Sequence, residues 1–184
     1  MHDQHLPASD YRPMPWKNGS GATDEIWLWP PRAGRDDFQI RISRAPIVAD
    51  GAFSAFPGAE RIITLIEGQG LALDFDHGSH LLQPLQPYRF DSGLAPIGRP
   101  MGANVRVFNV MATRRDWTLS ANVLHQPATL KPGRAVILAL APQQIVTQDR
   151  TYQLATQDTL IIDAQHTRIT GPALVVRLDP PIRI

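Results

Sequence analysis

Helix-breaking residues recur along the whole sequence and constrain the fold more than any other feature. The chain has 17 prolines and 13 glycines in 184 residues, so few windows of about 12 residues, the usual length of a helix, lack one of them. A proline inside a helix removes a hydrogen bond and clashes with the preceding turn, so long helices are not expected. The sequence therefore predicts an all-β fold with little helix, built from short strands joined by turns.

Several short segments have the composition of strands. Residues 38–43 alternate between apolar and polar side chains, as a half-buried strand does. The other candidates are 62–66, 71–75, 104–111, 118–124, 135–140, 159–163 and 173–178. Glycines predict one hairpin over 62–75 and a second with Gly78 and Ser79 at the centre of its turn. A dozen or more strands of this kind indicate a sandwich, a barrel or two stacked barrels.

The character of the chain changes near residues 113–116. The loops before this point are rich in glycine, proline and arginine, whereas the strands after it carry few distinctive residues. No Gly/Ser-rich or charged linker separates the two parts. We expect an N-terminal β half at 1–115 that carries the motifs and a C-terminal β half at 116–184, packed in one body.

Charge and composition exclude several classes of partner and chemistry. Lys plus Arg is 18 and Asp plus Glu is 17, without a basic stripe, so neither nucleic acid nor a membrane surface is an expected partner. The absence of cysteine removes disulfides, thiolate metal ligands and cysteine nucleophiles. The longest apolar stretches, such as 135–141, are too short for a membrane helix, and the N-terminus lacks the features of a secretory signal. We expect a cytoplasmic protein.

The first unusual segment runs from Trp16 to Ile26. Its Gly-Ser-Gly at 19–21 allows backbone N–H groups to approach a ligand closely, with Asn18 and Thr23 on either side. The Gly-Lys-Ser/Thr ending of a P-loop is missing. A simpler interpretation is a turn that leads into a strand, with Trp16 covering one end of a barrel.

Two further segments carry polar residues in apolar surroundings. Arg61 opens a strongly apolar strand, after Phe53 and Phe56, so its guanidinium lies either at a rim or in a cavity. Asn109 shares a strand face with Met111. If that face is interior, the amide either bridges strands or contacts a ligand.

Metal and acid–base chemistry have few candidates. None of the six histidines forms the His-x-His pair of metal-binding cupins, and His77 and His80, on either side of a turn, would need a third ligand. We therefore expect no metal and no cofactor. Asp24 and Glu25 are adjacent and point to opposite faces of a strand, so they do not form a catalytic carboxylate pair. Glu25, with His80 behind it, is the best candidate for a general acid or base.

Four motifs in order resemble the HutD/Ves family. The family's Trp-Lys-Asn-Gly-Gly-Gly-x-Thr-x-Glu-Ile is similar to 16–26, with Ser20 at the middle glycine, and its Phe-x-x-Arg-Ile-Ser-x-Ala is similar to 38–45. Its Asp-Gly-x-Phe-Ser-x-Phe-Pro-Gly-x-x-Arg resembles 50–61, and its Phe-Asn-Val-Met-x-x-Arg resembles 108–114. Val107 stands where the family usually carries an aspartate.

The resemblance implies an RmlC-like double β-barrel, a bicupin, without the metal-binding histidines of enzymatic cupins. Some members of the family are encoded with histidine-degradation genes and are thought to tune that pathway, and the family has no well-established catalytic activity. We therefore expect a metal-free binding protein that senses or buffers a small carboxylate or imidazole metabolite of histidine utilisation. A metal-independent isomerase or hydrolase is the alternative, and a structural partner protein with a filled barrel is a third interpretation. A homodimer is left open.

The expected ligand-binding residues follow from these motifs. Arg61 and Arg41 would pair with a carboxylate; Asn109, Asn18 and Thr23 would form neutral hydrogen bonds; Trp16 and Phe53 would form apolar walls; and Lys17, Glu25 and Met111 complete the set.

Overall fold

The computed structural model describes residues 2–15, 21–164 and 166–181, and almost all of the regular structure within these ranges is β-strand. Two 3₁₀ helices occur there, at Ala8–Asp10 and Ser92–Leu94. The strands are β1 (Gln4–Leu6), β2 (Arg12–Pro15), β3 (Ala22–Trp29), β4 (Ile40–Pro46), β5 (Gly51–Ala52), β6 (Ala59–Glu67), β7 (Gly70–Phe75), β8 (Gly78–Leu82), β9 (Tyr88–Asp91), β10 (Ile97–Met101), β11 (Arg106–Thr113), β12 (Thr118–Leu124), β13 (Ala128–Leu130), β14 (Gly133–Ala139), β15 (Gln143–Thr147), β16 (Thr151–Leu154), β17 (Thr159–Ala164), β18 (Thr167–Ile169) and β19 (Ala173–Asp179). The prediction of an all-β chain with little helix is confirmed.

The chain forms two compact units, and the larger one is the central unit, residues 12–117. It has a six-stranded sheet in the order β2-β3-β4-β11-β6-β9 and a four-stranded sheet in the order β5-β10-β7-β8. The strands pair antiparallel within both sheets. A buried apolar cluster joins the two sheets: Ile63, Leu65 and Val107 come from the first, and Leu71 and Leu73 from the second.

The second unit, called the terminal unit, contains residues 2–11 and the described residues from 118 to 181. Its sheets have the orders β1-β17-β14-β19-β12 and β13-β18-β15-β16. Its interior is a packed apolar cluster that includes Ile137, Ile145 and Ile162. The units differ from the predicted halves 1–115 and 116–184 at the N-terminus, because β1 pairs with β17.

One of the two predicted hairpins is wrong. The chain does turn at Gly68, but β6 and β7 belong to different sheets and do not pair. Gly68 has a φ of +99°, and a Cβ there would lie 2.9 Å from the Val105 Cα atom, so the turn needs a glycine for both reasons. The second hairpin, β7 with β8, is confirmed, although Phe75 pairs with Gly78 and the turn is therefore Asp76–His77.

The finer prediction of two closed barrels is not confirmed. Among the described residues, strand pairing gives separate sheets with free edges and no closed barrel. The same part of the chain contains no helix that is long and apolar enough to cross a membrane.

Candidate functional site

A cavity of about 650 Å³ lies in the central unit. The continuous segment 47–56 forms one wall, and β4, β6 and β11 form the floor. Thr23 contributes from β3, and Arg35 and Asp36 contribute from the loop before β4. Cavities of this size hold small metabolites.

Strand register explains why the floor is polar at one end. On β4, β11 and β6, the residues of one face form successive rows: Arg41, Met111 and Arg61; then Ser43, Asn109 and Ile63; then Ala45, Val107 and Leu65. The third row is part of the apolar cluster of the central unit. The same sheet face therefore runs from packed core to a row that carries two arginines.

Arg61 is buried, with 3% of its surface exposed. Its Nε and Nη2 atoms donate to the Ser92 hydroxyl at 3.1 and 2.9 Å, and Nη2 also donates to the Ser54 carbonyl at 3.1 Å. Among the described residues it forms no ion pair with a carboxylate. A buried guanidinium bonded to neutral groups keeps an uncompensated charge.

Aromatic rings enclose the Arg61 guanidinium. Its central carbon lies 5.3 Å from the ring centre of Phe53, 5.5 Å from that of Phe90 and 5.9 Å from that of Phe56. Burial, with Arg41 and Arg35 nearby, lowers the pKa of Arg61 to about 9. The group stays protonated at neutral pH, and it lines a cavity whose walls carry both polar and apolar side chains.

Arg41 is also buried but has a counter-ion. Its Nε atom donates to Glu25 Oε2 at 3.1 Å. Burial lowers the pKa of Arg41, and the bond to Glu25 opposes that shift. Glu25 is not itself a lining residue, so it acts on the cavity through Arg41.

Three contributors to the site were missed by the sequence analysis. Ser92 is fully buried and holds Arg61. Phe90 is next to Arg61 in the register of β6 and β9. Arg35 lies at the rim, where its Nη2 atom donates to the Ser54 hydroxyl at 3.0 Å. None of the three stands in a motif or an alternating pattern that could have identified it.

Asn109 has an unusual environment. It is 4% exposed and lines the cavity, and its Oδ1 atom is buried without a hydrogen-bond partner. An unsatisfied buried carbonyl costs about 1–3 kcal/mol. Asn109 therefore does not bridge strands through this oxygen.

The cavity brings together most of the expected binding residues that the structure describes: Thr23, Arg41, Phe53, Arg61, Asn109 and Met111. Trp16, Lys17 and Asn18 lie outside the described residues. No bound molecule tests the set, which stays a prediction.

His77 and His80 are not lining residues of this cavity. His77 stacks on Phe75, and the His80 ring lies 3.7 Å from that of Tyr88. Within the described ranges, no three His, Asp or Glu side chains come together in a group that could hold a metal ion. Glu25 instead pairs with Arg41 on β4, whereas His80 stacks on Tyr88 of β9.

Known proteins match this chain in sequence and in fold. A family model described as HutD matches residues 8–176. HutD from Pseudomonas fluorescens, solved in a formate condition, is 26% identical with a TM-score of 0.82, over 97% of this chain and 98% of that one. A conserved protein of unknown function from Pseudomonas aeruginosa PAO1 is 30% identical with a TM-score of 0.86, over 97% and 100%. A cupin 2 conserved barrel domain protein from Leptotrichia buccalis, at 8% identity and a TM-score of 0.58 over 85% and 88%, is similar in fold alone.

Proposed function

Since the chain belongs to the HutD family, we propose that it is a small-molecule-binding protein whose central-unit cavity takes a small carboxylate. Arg61 carries the proposal, because it is a buried cation inside a cavity and has no carboxylate partner among the described residues. An anionic ligand would supply the missing charge. Arginine suits a carboxylate because its planar fork offers two parallel donors.

The aromatic rings around Arg61, two of which line the cavity, favour a flat or unsaturated ligand. Phe53, Phe56 and Phe90 surround the Arg61 guanidinium, and rings of this kind pack against planar groups such as an imidazole or a conjugated acid. Asn109 offers an unpartnered amide oxygen on the floor, a group suited to an N–H donor. We therefore propose a carboxylate or imidazole intermediate of histidine utilisation, sensed or buffered by the protein.

A metal-independent enzyme remains the alternative. It would use Glu25 as its acid or base, but the ion pair with Arg41 holds this carboxylate outside the set of lining residues. The geometry favours binding over catalysis.

Thermal unfolding with formate, urocanate and formylglutamate tests the proposal. A ligand at about 100 times its Kd adds about 2.7 kcal/mol to the free energy of unfolding, which raises the Tm by roughly 5–10 °C for a chain of this size. Arg61→Met should remove the shift. Arg168→Met is the matched control, since Arg168 is exposed on β18 in the terminal unit.

Two outcomes contradict the proposal. In the first, none of the three acids raises the Tm of the wild type. In the second, Arg61→Met shows the same shift as the wild type, and the acid then binds elsewhere.

The double-barrel arrangement is a proposal as well. Similarity to a cupin barrel protein supports it, as does the pair of two-sheet units. We propose that each unit is a cupin barrel, that the chain is therefore a bicupin, and that it works in the cytoplasm.

A further inference from the structure

Ser92 holds one residue of the cavity wall and one of its floor. Its carbonyl oxygen accepts from the Phe56 N–H at 3.0 Å, and its hydroxyl accepts from Arg61. Phe90 of β9 is the register neighbour of Arg61, and after Asp91 the chain turns into the 3₁₀ helix that begins with Ser92. Ser92 is fully buried and is not a lining residue, so its effect on a ligand would pass through the residues that it holds.

The Ser92 hydroxyl has a full complement of hydrogen bonds. A hydroxyl has one donor and two acceptor positions. The Ser92 Oγ atom accepts from Nε and Nη2 of Arg61 at 3.1 and 2.9 Å, and it donates its own proton to the Met111 sulfur at 3.6 Å. Because all three positions are occupied, the hydroxyl cannot rotate without losing a bond. It therefore fixes the edge of the guanidinium that Nε and Nη2 form.

The remaining donors of Arg61 are the two N–H groups of Nη1. A guanidinium carries one N–H group on Nε and two on each terminal nitrogen. Ser92 accepts from Nε and from Nη2, and the Ser54 carbonyl accepts from Nη2 at 3.1 Å. Nη1 donates to no described residue, yet it is not one of the fully buried atoms that lack a partner. Since Arg61 lines the cavity, Nη1 is the nitrogen that it presents there.

We propose that Ser92 is a positioning residue for the ligand: it keeps the Nε–Nη2 edge of Arg61 turned away from the cavity, so that the ligand is bound through Nη1 alone. This inference rests on the proposed function, because it assumes that Arg61 takes a carboxylate. The bidentate contacts of arginine need two parallel N–H groups and include Nη2. Both Nη2 groups of Arg61 already have acceptors, which leaves a contact through one nitrogen.

NMR of the Arg61 side chain tests which nitrogen meets the ligand. Protein made with isotope-labelled arginine gives the side-chain nitrogen signals, and those absent from Arg61→Met are the signals of Arg61. Formate is the probe, because it is a carboxylate without any other polar group. Titration of the wild type should shift the Nη1 signal more than the Nε and Nη2 signals. A shift at Nε as large as that at Nη1 would overturn the inference, since the carboxylate would then occupy the edge assigned to Ser92.

Ser92→Ala tests whether the hydroxyl sets this orientation. Without that acceptor the guanidinium can adopt several orientations, and the apparent Kd rises in inverse proportion to the fraction that presents Nη1 to the cavity. Calorimetry should give formate a Kd about tenfold higher than in the wild type, as a productive fraction of about one tenth implies. The separate Nη1 and Nη2 signals of the wild type should also merge as the guanidinium rotates.

Thr159→Val is the matched control. Thr159 is fully buried in the terminal unit, where its hydroxyl bonds to that of Tyr11 at 2.8 Å, and it does not line the cavity. This variant also loses a buried hydroxyl, so its free energy of unfolding should fall. Its formate Kd should stay within about twofold of the wild type, since effects at independent sites do not combine. Equal weakening of formate by Thr159→Val and Ser92→Ala would overturn the inference.

Failure of this inference and failure of the proposed function give different results. If formate binds and Arg61→Met removes the binding, but Ser92→Ala binds formate as the wild type does, the carboxylate site stands and the role of Ser92 is wrong. If formate shifts no signal of Arg61 in the wild type, both proposals fail. Should Ser92→Ala not fold, the titration of the wild type decides the inference.

Discussion

The buried charge of Arg61, which has no carboxylate partner among the described residues, is expected to destabilise the folded protein when no anion is bound. Its charge is taken out of water without a carboxylate in return, at a cost of several kcal/mol. Its bonds to Ser92 and Ser54 are made to neutral groups and offset only part of that cost. Arg61→Met, which keeps an unbranched apolar side chain among the same aromatic rings, should therefore raise the free energy of unfolding by about 1 kcal/mol while removing carboxylate binding.

Chemical denaturation without ligand measures the first effect, and calorimetry with formate measures the second. A variant that loses stability would show that the guanidinium is a structural brace.

The difference in free energy of unfolding between the wild type and Arg61→Met should depend on pH. Folding lowers the pKa of Arg61 from its ordinary value to about 9, so between these values the unfolded chain binds more protons than the folded one. The free energy of unfolding then rises with pH. The penalty is complete below pH 9 and fades above it, by at most about 1.4 kcal/mol per pH unit.

Denaturation of wild type and Arg61→Met between pH 8 and pH 10.5 should therefore show the stability of the wild type rising relative to that of the variant. A constant difference across this range would mean that burial does not shift the titration of Arg61.

How well single residues could be predicted depended on strand alternation. Asn109 and Met111 were found because a strand places alternate residues on one face, and Arg61 was found because a charged residue opens a strongly apolar strand. Ser92 and Arg35 were not found, because a short 3₁₀ helix brings Ser92 to Arg61 and a loop brings Arg35 to the cavity, and no periodic signal connects either segment to a distant strand. A guanidinium partner 31 residues away in the chain is set by tertiary folding alone.

Among the elements, β10 positions an aromatic wall of the cavity through a glycine. A Cβ at Gly98 would lie 2.7 Å from Cε2 of Phe53, and Phe53 stacks on Arg61. Gly98→Ala should displace this ring, cost about 1–3 kcal/mol of stability through overpacking, and weaken carboxylate binding several-fold.

Gly51→Ala is the control for that change. Gly51 is the cross-strand partner of Gly98, and a Cβ there would meet nothing within 4 Å. The free energy of unfolding from denaturation and the carboxylate Kd from calorimetry should both be close to those of the wild type. Equal effects of the two substitutions would contradict the role of Gly98 in seating Phe53.

Element type was easier to predict than element pairing. Short apolar runs between glycines marked β6 and β7 correctly as strands, but the tight turn at Gly68 was taken for a hairpin. A turn signal predicts that the chain reverses direction, but it does not predict that the two strands on either side of the turn pair with each other. Pairing depends on which apolar face each strand must bury, and Leu65 and Leu71 bury theirs against each other's sheet.

At the scale of the whole molecule, the two units have different interiors. The central unit combines an apolar cluster with the 650 Å³ cavity, whereas the core of the terminal unit is an apolar cluster that includes Ile137 and Ile162. The sequence indicated that the strands of the second half carry few distinctive residues, but it did not indicate that residues 2–11 belong to the same unit. His5 and Asp158 are 153 positions apart and form a hydrogen bond of 2.9 Å, which no local sequence pattern predicts.

Because only the central unit has the cavity, we expect the same substitution to affect stability in both units but ligand binding in the central unit alone. Ile63 and Ile137 are both fully buried, and Ile→Val at either should cost about 0.5–1.5 kcal/mol of stability. Ile63 is the register neighbour of Asn109 and lies two residues from Arg61 on the same strand face, so Ile63→Val should also weaken carboxylate binding several-fold. Ile137→Val should leave the Kd within about twofold of the wild type, because the terminal unit then contributes stability without touching the ligand. Calorimetry well below the Tm of both variants keeps unfolding out of the comparison, and a Kd that changes equally in the two would show that the ligand is bound by the molecule as a whole rather than by the central unit.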